Sequence, residues 1–176
     1  MNEPQVILVD DNDQAIGTMG KQEAHVQGQL HRAISVLVFN TKGEWLIHQR
    51  ALGKYHCGGL WTNACCSHPA PGEKSRDAAI RRLQEEMGIK ATQLEKLFQF
   101  KYEVAFENQL TEHEIDHVYK VITNDVPDIN TEEVAAYKYL SHSELTELIK
   151  KDPSSFTPWF KLIIEKFNNL NPKQLS

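Results

Sequence analysis

The sequence predicts an α+β domain. Short β-branched apolar runs bounded by turn residues read as antiparallel strands, and one segment of helical period, 75–88, lies among them. Two further helical segments with recognisable caps close the chain. Strands interleaved with helices in this way argue a layered α+β architecture. No internal repeat, linker or low-complexity stretch divides the chain, and 176 residues suit one domain spanning 1–176.

Val6 to Val9 is apolar and β-branched and reads as a first strand, ended by a turn over Asp10 to Gln14. Ala33–Phe39 and Trp45–Gln49 flank Asn40-Thr41-Lys42-Gly43, the pattern of a hairpin with a short glycine-containing turn. Residues 51–60, with Gly53, Gly58 and Gly59, read as a loop leading to Trp61. From Ser75, a candidate cap, Ala79, Ile80, Leu83 and Met87 fall on one helical stripe, and Gly88 supplies a left-handed end. Leu97–Phe106 and Ile115–Thr123 read as paired strands joined by a polar turn over Glu107 to Thr111, and Tyr137–Leu140 as one more strand. Ser141 and Glu144 have capping-box spacing for a helix reaching about Lys150. Thr157 and Pro158 suit the cap and first position of a last helix carrying Trp159, Leu162, Ile163 and Phe167.

Composition excludes several classes. A 40% hydrophobic share fits a globular protein, and a chain of this length buries roughly 70% of its unfolded surface. No run approaches the ~20 apolar residues of a membrane helix, and Met1-Asn2-Glu3-Pro4 does not begin a secretory signal. Cys57, Cys65 and Cys66 are odd in number and two are adjacent, a poor disulfide framework that points to a reducing cytoplasm. A net charge of −5 disfavours a nucleic-acid surface, while a few cations focused in a cleft still accommodate a small anion.

The chemistry concentrates in Trp61-Thr62-Asn63-Ala64-Cys65-Cys66-Ser67-His68-Pro69 and in Glu112-His113-Glu114. Two apart on a strand, Glu112 and Glu114 point to one face, and Asp116 continues the row. Carboxylates this close repel one another, so a nearby cation is expected. Imidazole suits transition metals and carboxylate suits harder ions. Taken singly, each of these residues has an ordinary reading: a cysteine as a small hydrophobe, a histidine as a hydrogen-bonded surface group, Glu85-Glu86 as a solvated helix face, Trp159 as a core aromatic. Cys65, His48, His56, His113, His117 and His142 keep that ordinary reading.

In combination, W-T-N-x-C-C-S-H-P followed by the distant E-x-E resembles the metal-dependent type I isopentenyl-diphosphate isomerases, from about Gln5 to Phe167. Ser67 to Ile89 also resembles a Nudix box, with Glu73, Arg81, Leu83, Glu85, Glu86, Gly88 and Ile89 in place. Ser67 stands for the box's first glycine and Arg82 for a glutamate. On a helix, position 82 neighbours 85 and 86, so a cation there weakens the carboxylate cluster a hydrolase needs and could face a phosphate instead. Residues 56–58, His-Cys-Gly, depart from the Trp-Pro-Gly or Phe-Pro-Gly of other members.

The resemblance implies a Nudix-like α/β/α sandwich with mixed, largely antiparallel sheets and additional N-terminal strands. It implies the reversible conversion of isopentenyl diphosphate to dimethylallyl diphosphate in isoprenoid synthesis. His25, His31, His68, Glu112 and Glu114 fall on its ligand positions for one Mn²⁺, Mg²⁺ or Zn²⁺ ion. Cys66 and Glu114 fall on its catalytic cysteine and glutamate, Tyr102 on the tyrosine beside that carboxylate, and Trp159 on an indole that stabilises a carbocation. A second Mg²⁺ bound with the diphosphate falls to Glu86 and the carbonyl of Cys66, and the diphosphate itself to Lys21, Arg50, Lys54 and Arg82. The implied partner is a small prenyl diphosphate, with no nucleic acid and no membrane, and the chain acts as a monomer or weak dimer. Two rival readings are a Nudix hydrolase of a nucleoside or prenyl diphosphate and a non-catalytic metal- or ligand-binding domain.

Overall fold

The computed structural model describes residues 3–170. Its organising element is strand β3 (His31–Phe39), buried along almost its whole length. A strand covered on both faces sorts its side chains by parity. Ile34, Val36 and Val38 point to one face, against Ala78, Ala79, Leu83 and Met87 of helix α2 (Ser75–Met87). Leu37 and Phe39 point to the other, against Leu145 of α3 (His142–Lys151) and Phe160 and Ile163 of α4 (Pro158–Asn168). The result is the expected sandwich, one sheet between two helical layers.

Among the described residues the sheet has nine strands. β3 lies parallel to β8 (Thr111–Ile122), from His31 opposite Glu114 to Phe39 opposite Ile122. β7 (Glu95–Ala105) pairs antiparallel with β8 and places Tyr102 opposite Glu114. Along its other edge β3 meets β6 (Cys65–Ser67), with Ser35 opposite Cys66, and β4 (Trp45–Arg50) for two residues. β4 goes on to pair with β5 (Trp61–Asn63) and β9 (Val134–Leu140). The N-terminal addition is a hairpin of β1 (Gln5–Val9) and β2 (Ala15–Gly20), attached through Leu8 opposite His31. Helix α1 (Lys21–Gln27) follows directly.

Local chemistry accounts for several ends. Asp10 Oδ1 accepts from the amides of Asn12 and Gln14, both at 2.9 Å, and closes the first turn. The capping box at Ser141 and Glu144 is present in full. Three expectations need correction. Ser75 is the first helical residue of α2; Lys74 holds the cap position and no side chain caps it. Thr157 holds the cap position of α4, yet its hydroxyl donates to Thr62 Oγ1 at 2.9 Å, because a buried partner is closer to hand than the helix amides. β8 begins at Thr111, four residues before the apolar run that marks it in the sequence, because its first residues face a polar cavity.

Gly88 ends α2 at φ 68°, and a Cβ there would meet the carbonyl oxygen of Asp128 at 2.6 Å. Gly88→Ala therefore combines a left-handed non-glycine residue with a backbone clash. It should lower the unfolding free energy by at least about 1 kcal/mol, read as a lower urea midpoint at unchanged slope.

Candidate active site

One cavity gathers residues from both edges of β3. Its wall includes Cys66 of β6, Tyr102 of β7, Glu112, Glu114 and Asp116 of β8, and Trp159 of α4. Lys21, Arg50, Lys54, His68, Arg82 and Glu86 line the same space. Ser35 of β3 forms part of its floor.

At one end four side chains converge. His25, His31, His68 and Glu114 each offer a ligand atom within 4.8 Å of the others. His25 Nδ1 donates to the Lys21 carbonyl at 2.6 Å and His31 Nδ1 to the Gln29 carbonyl at 2.8 Å. These bonds leave the Nε2 of each neutral ring as a lone pair. His25 Nε2 is buried with no hydrogen-bond partner. His31 Nε2 lies 3.3 Å from His68 Nε2, and the two stand 3.2 and 2.9 Å from Glu114 Oε1. Electron pairs facing one another in this way want a cation between them, and ring nitrogens anchored on backbone carbonyls are the usual support of metal ligands. The donor set therefore fits a divalent metal. The resemblance placed Glu112 among the ligands, but here it stands outside this group of four.

Glu112 is held by two other groups. Its Oε2 accepts from the Tyr102 hydroxyl at 3.0 Å, and its Oε1 lies 2.5 Å from His56 Nε2. Tyr102 also donates to Glu114 Oε2 at 2.6 Å. One hydroxyl proton cannot serve two carboxylates at once, and the shorter of the two contacts is the one to Glu114. Burial keeps Tyr102 protonated.

The two adjacent cysteines separate by strand parity. Cys65 enters the core beneath α2 and is fully buried, while Cys66 faces the cavity. Asn63 fixes this arrangement: its side-chain amide donates to the carbonyl oxygens of Cys65 at 2.6 Å and Val36 at 3.2 Å. Burial pushes the Cys66 thiol up to about 11, while Arg50, with Nη1 3.9 Å from Sγ, and the Thr62 hydroxyl, 3.8 Å away, pull the other way. Trp61 and Thr62 also dock the start of α4, since the Thr157 amide donates to the Trp61 carbonyl at 3.0 Å. That contact brings Trp159 into the cavity, with the Arg50 guanidinium 5.3 Å from its ring centre.

Cations form the rest of the lining. Among the described residues neither Lys21 nor Arg50 makes an ion pair. Burial, then the charges of Arg50 and Arg82, lower the pKa of Lys21; burial is also the main cause that brings Lys54 down to about 8. Lys54 pairs with Glu133, and Arg82 pairs with Glu85 at 2.6 Å, Glu86 at 2.7 Å and Glu133 at 3.4 Å. Arg82 thus both faces the cavity and ties down the carboxylates of α2. Glu73 and Arg81 lie outside the cavity: two bonds of 2.8 Å between them clasp the preceding loop onto α2.

Two lining residues carry no signal in the sequence. Glu133 stands in an acidic turn whose neighbour Glu132 is exposed. His56 belongs to a glycine-rich loop, and only its departure from the family pattern marks it. Of the remaining histidines, His48 is buried with Nδ1 donating to the Ala64 carbonyl at 3.0 Å, and His117 pairs with Asp13 at 2.7 Å.

The chain is similar to known proteins in sequence and in fold. A NUDIX domain model matches residues 29–160. An isopentenyl-diphosphate Delta-isomerase of Pectobacterium atrosepticum is 52% identical over 158 residues, covering 90% of this chain and 88% of the relative. An isopentenyl-diphosphate Delta-isomerase 2 of Aromatoleum aromaticum is 45% identical, covering 93% and 86%. Among solved structures, DR0079 from Deinococcus radiodurans superposes with a TM-score of 0.69 at 18% identity, over 84% of this chain and 89% of that one, a likeness of fold alone. No helix among the described residues is long and apolar enough to cross a membrane. On its sequence, its sandwich and its buried histidine–carboxylate cavity, the chain belongs to the NUDIX family and, within it, to the isopentenyl-diphosphate Delta-isomerases.

Proposed function

We propose that the cavity interconverts isopentenyl diphosphate and dimethylallyl diphosphate by adding a proton at C4 and removing one from C2. One observation carries this reading. A thiol on β6 and a tyrosine–carboxylate pair on β7 and β8 approach the same cavity from opposite edges of β3.

A terminal alkene is a feeble base, and its protonation gives a tertiary carbocation. The site must therefore deliver a proton, stabilise the cation, exclude water and take a different proton away. The Glu114 carboxyl, held by the Tyr102 hydroxyl, gives its proton to C4 and is left as a carboxylate. Cys66, as the thiolate that Arg50 and the Thr62 hydroxyl favour, takes the C2 proton and becomes the thiol. In the reverse direction the two roles exchange. The face of Trp159 stabilises the cation, a contact worth about 2 kcal/mol when desolvated. Tyr102, Glu114 and Trp159 are all buried, which keeps water from capturing the cation.

His25, His31, His68 and Glu114 would hold a Mn²⁺, Mg²⁺ or Zn²⁺ ion, with Glu112 beside them as a fifth ligand. Such an ion supplies a fixed positive charge that orients Glu114 and tunes its acidity. Glu86 and the carbonyl of Cys66 would hold a Mg²⁺ that arrives with the diphosphate, while Lys21, Arg50, Lys54 and Arg82 bind the phosphate oxygens by charge-assisted hydrogen bonds. The substrate is the protein's partner, and the chain works as a monomer or weak dimer. A hydrolase reading draws on the intact Glu85-Glu86, but Arg82 stands where that signature has a further glutamate and pairs with Glu85 at 2.6 Å.

Incubation with isopentenyl diphosphate and Mg²⁺ or Mn²⁺ should yield dimethylallyl diphosphate without phosphate. Cys66→Ala should lower turnover at least about 10²-fold, the lower end for a proton-transfer group, and Cys65→Ala should change it only about two- to three-fold. Phosphate release would favour the hydrolase, and equal losses at the two cysteines would remove Cys66 from its role.

Divalent metal should raise the melting temperature and a chelator lower it, through preferential binding to the folded state. His25→Ala, His31→Ala and His68→Ala should each weaken metal binding beyond the ~10–100-fold typical of a lost supporting residue. A melt indifferent to metal would sink the site.

Lys54 titrates near 8, so its charge is present below that pH and lost above it. The KM for isopentenyl diphosphate should therefore rise as pH passes about 8. Lys54→Arg, which stays charged throughout, should leave KM level across the same range. A KM that rises identically in both proteins would rule out Lys54 as the cause.

A further inference from the structure

His56 stands in the cavity wall where the sequence assigned it nothing. Its ring is buried between Tyr55, Phe106, His25 and Trp159, at centroid distances of 4.4, 5.5, 5.6 and 5.9 Å. Its backbone is equally constrained. Arg50 Nη2 donates to its carbonyl at 3.3 Å. The next residue, Cys57, sits at φ 52°, a left-handed conformation that non-glycine residues rarely adopt. Beyond it, Gly58 leaves no room for a side chain, since a Cβ would lie 2.7 Å from the carbonyl oxygen of Leu52. A loop this confined presents one imidazole in one orientation.

What that imidazole meets is Glu112. His56 Nδ1 is buried without a partner and Nε2 lies 2.5 Å from Glu112 Oε1, so the proton of the neutral ring belongs on Nε2, donated to the carboxylate. The other carboxylate oxygen accepts from Tyr102 at 3.0 Å. A carboxylate offers about four lone-pair sites. With one donor on each oxygen its plane is fixed, and lone pairs remain for a cation.

We propose that His56 is a positioning residue of the metal centre, fixing the Glu112 carboxylate so that its remaining lone pairs face the ion held by His25, His31, His68 and Glu114. This rests on the metal reading given above. It makes the 51–60 loop, which supplies no ligand of its own, a determinant of metal affinity.

The test is metal binding, independent of turnover. Zn²⁺ affinity is measured by competition with a chromophoric chelator, and the Co²⁺-loaded protein by its visible absorption. His56→Ala should weaken Zn²⁺ by ~10–100-fold, the range for a lost supporting partner of a ligand, and alter the Co²⁺ bands. His56→Gln, whose amide N–H can reach the same carboxylate oxygen, should restore most of both. In a Glu112→Ala background, His56→Ala should have little further effect, because a positioning residue acts only through the group it positions. A wild-type affinity in His56→Ala overturns the proposal, and so does an equal loss with and without the Glu112 carboxylate. Should the metal reading itself be wrong, His25→Ala will be as silent as His56→Ala, and that pattern is distinct from either.

Discussion

β3, paired in parallel to β8 along one edge and buried under helices on both faces, leaves each of its side chains a single address. Ile34, Val36 and Val38 join the core beneath α2, while the odd-numbered residues run from the apolar Phe39 and Leu37 to the polar Ser35 and His31. Neighbouring strands inherit this sorting through their register. Glu112, Glu114 and Asp116 fall on the cavity side of β8, Tyr102 on that of β7, and Cys66 on that of β6. A slip of one residue between β3 and β8 would turn the carboxylates, and Tyr102 in register with them, away from the face of His31. The site is thus a property of the register.

Within the cavity, charge is arranged so that each half lacks something. One half offers imidazole lone pairs and carboxylates that face each other. The other offers buried cations, of which Lys21 and Arg50 have no carboxylate partner among the described residues. Removing such groups from water costs several kcal/mol each unless they are compensated. A cation beside the first half and an anion beside the second would offset that cost. Glu133, paired with both Lys54 and Arg82, offsets part of it.

Sequence patterns revealed those parts whose signal is local. The stripe of Ala79, Leu83 and Met87 with Gly88 beyond it located α2, the Ser141–Glu144 pair located α3, and the two-residue spacing of Glu112 and Glu114 put both on one face. Elements without local signals escaped. β2 is mostly exposed, α1 has seven residues and no side-chain cap, and β5 and β6 have three residues each. Tertiary contacts alone define them. The site divides along the same line. Cys66, His68 and the two glutamates lie in compact motifs, and family resemblance supplied His25, His31, Tyr102 and Trp159. His56 entered through neither route, since its partner Glu112 is 56 residues away and nothing in the chain's periodicity joins them.

The parity that parts Cys65 from Cys66 also bears on oxidative damage. Adjacent residues of an extended strand lie ~3.8 Å apart at Cα, below the ~4.4–6.8 Å a disulfide spans, and their sulfurs project to opposite faces. Joining them would require β6 to leave β3. Hydrogen peroxide that oxidised Cys66 to a sulfenic acid would therefore find no resolving thiol in its nearest neighbour. The chain carries a vicinal dithiol in its sequence without the chemistry of one.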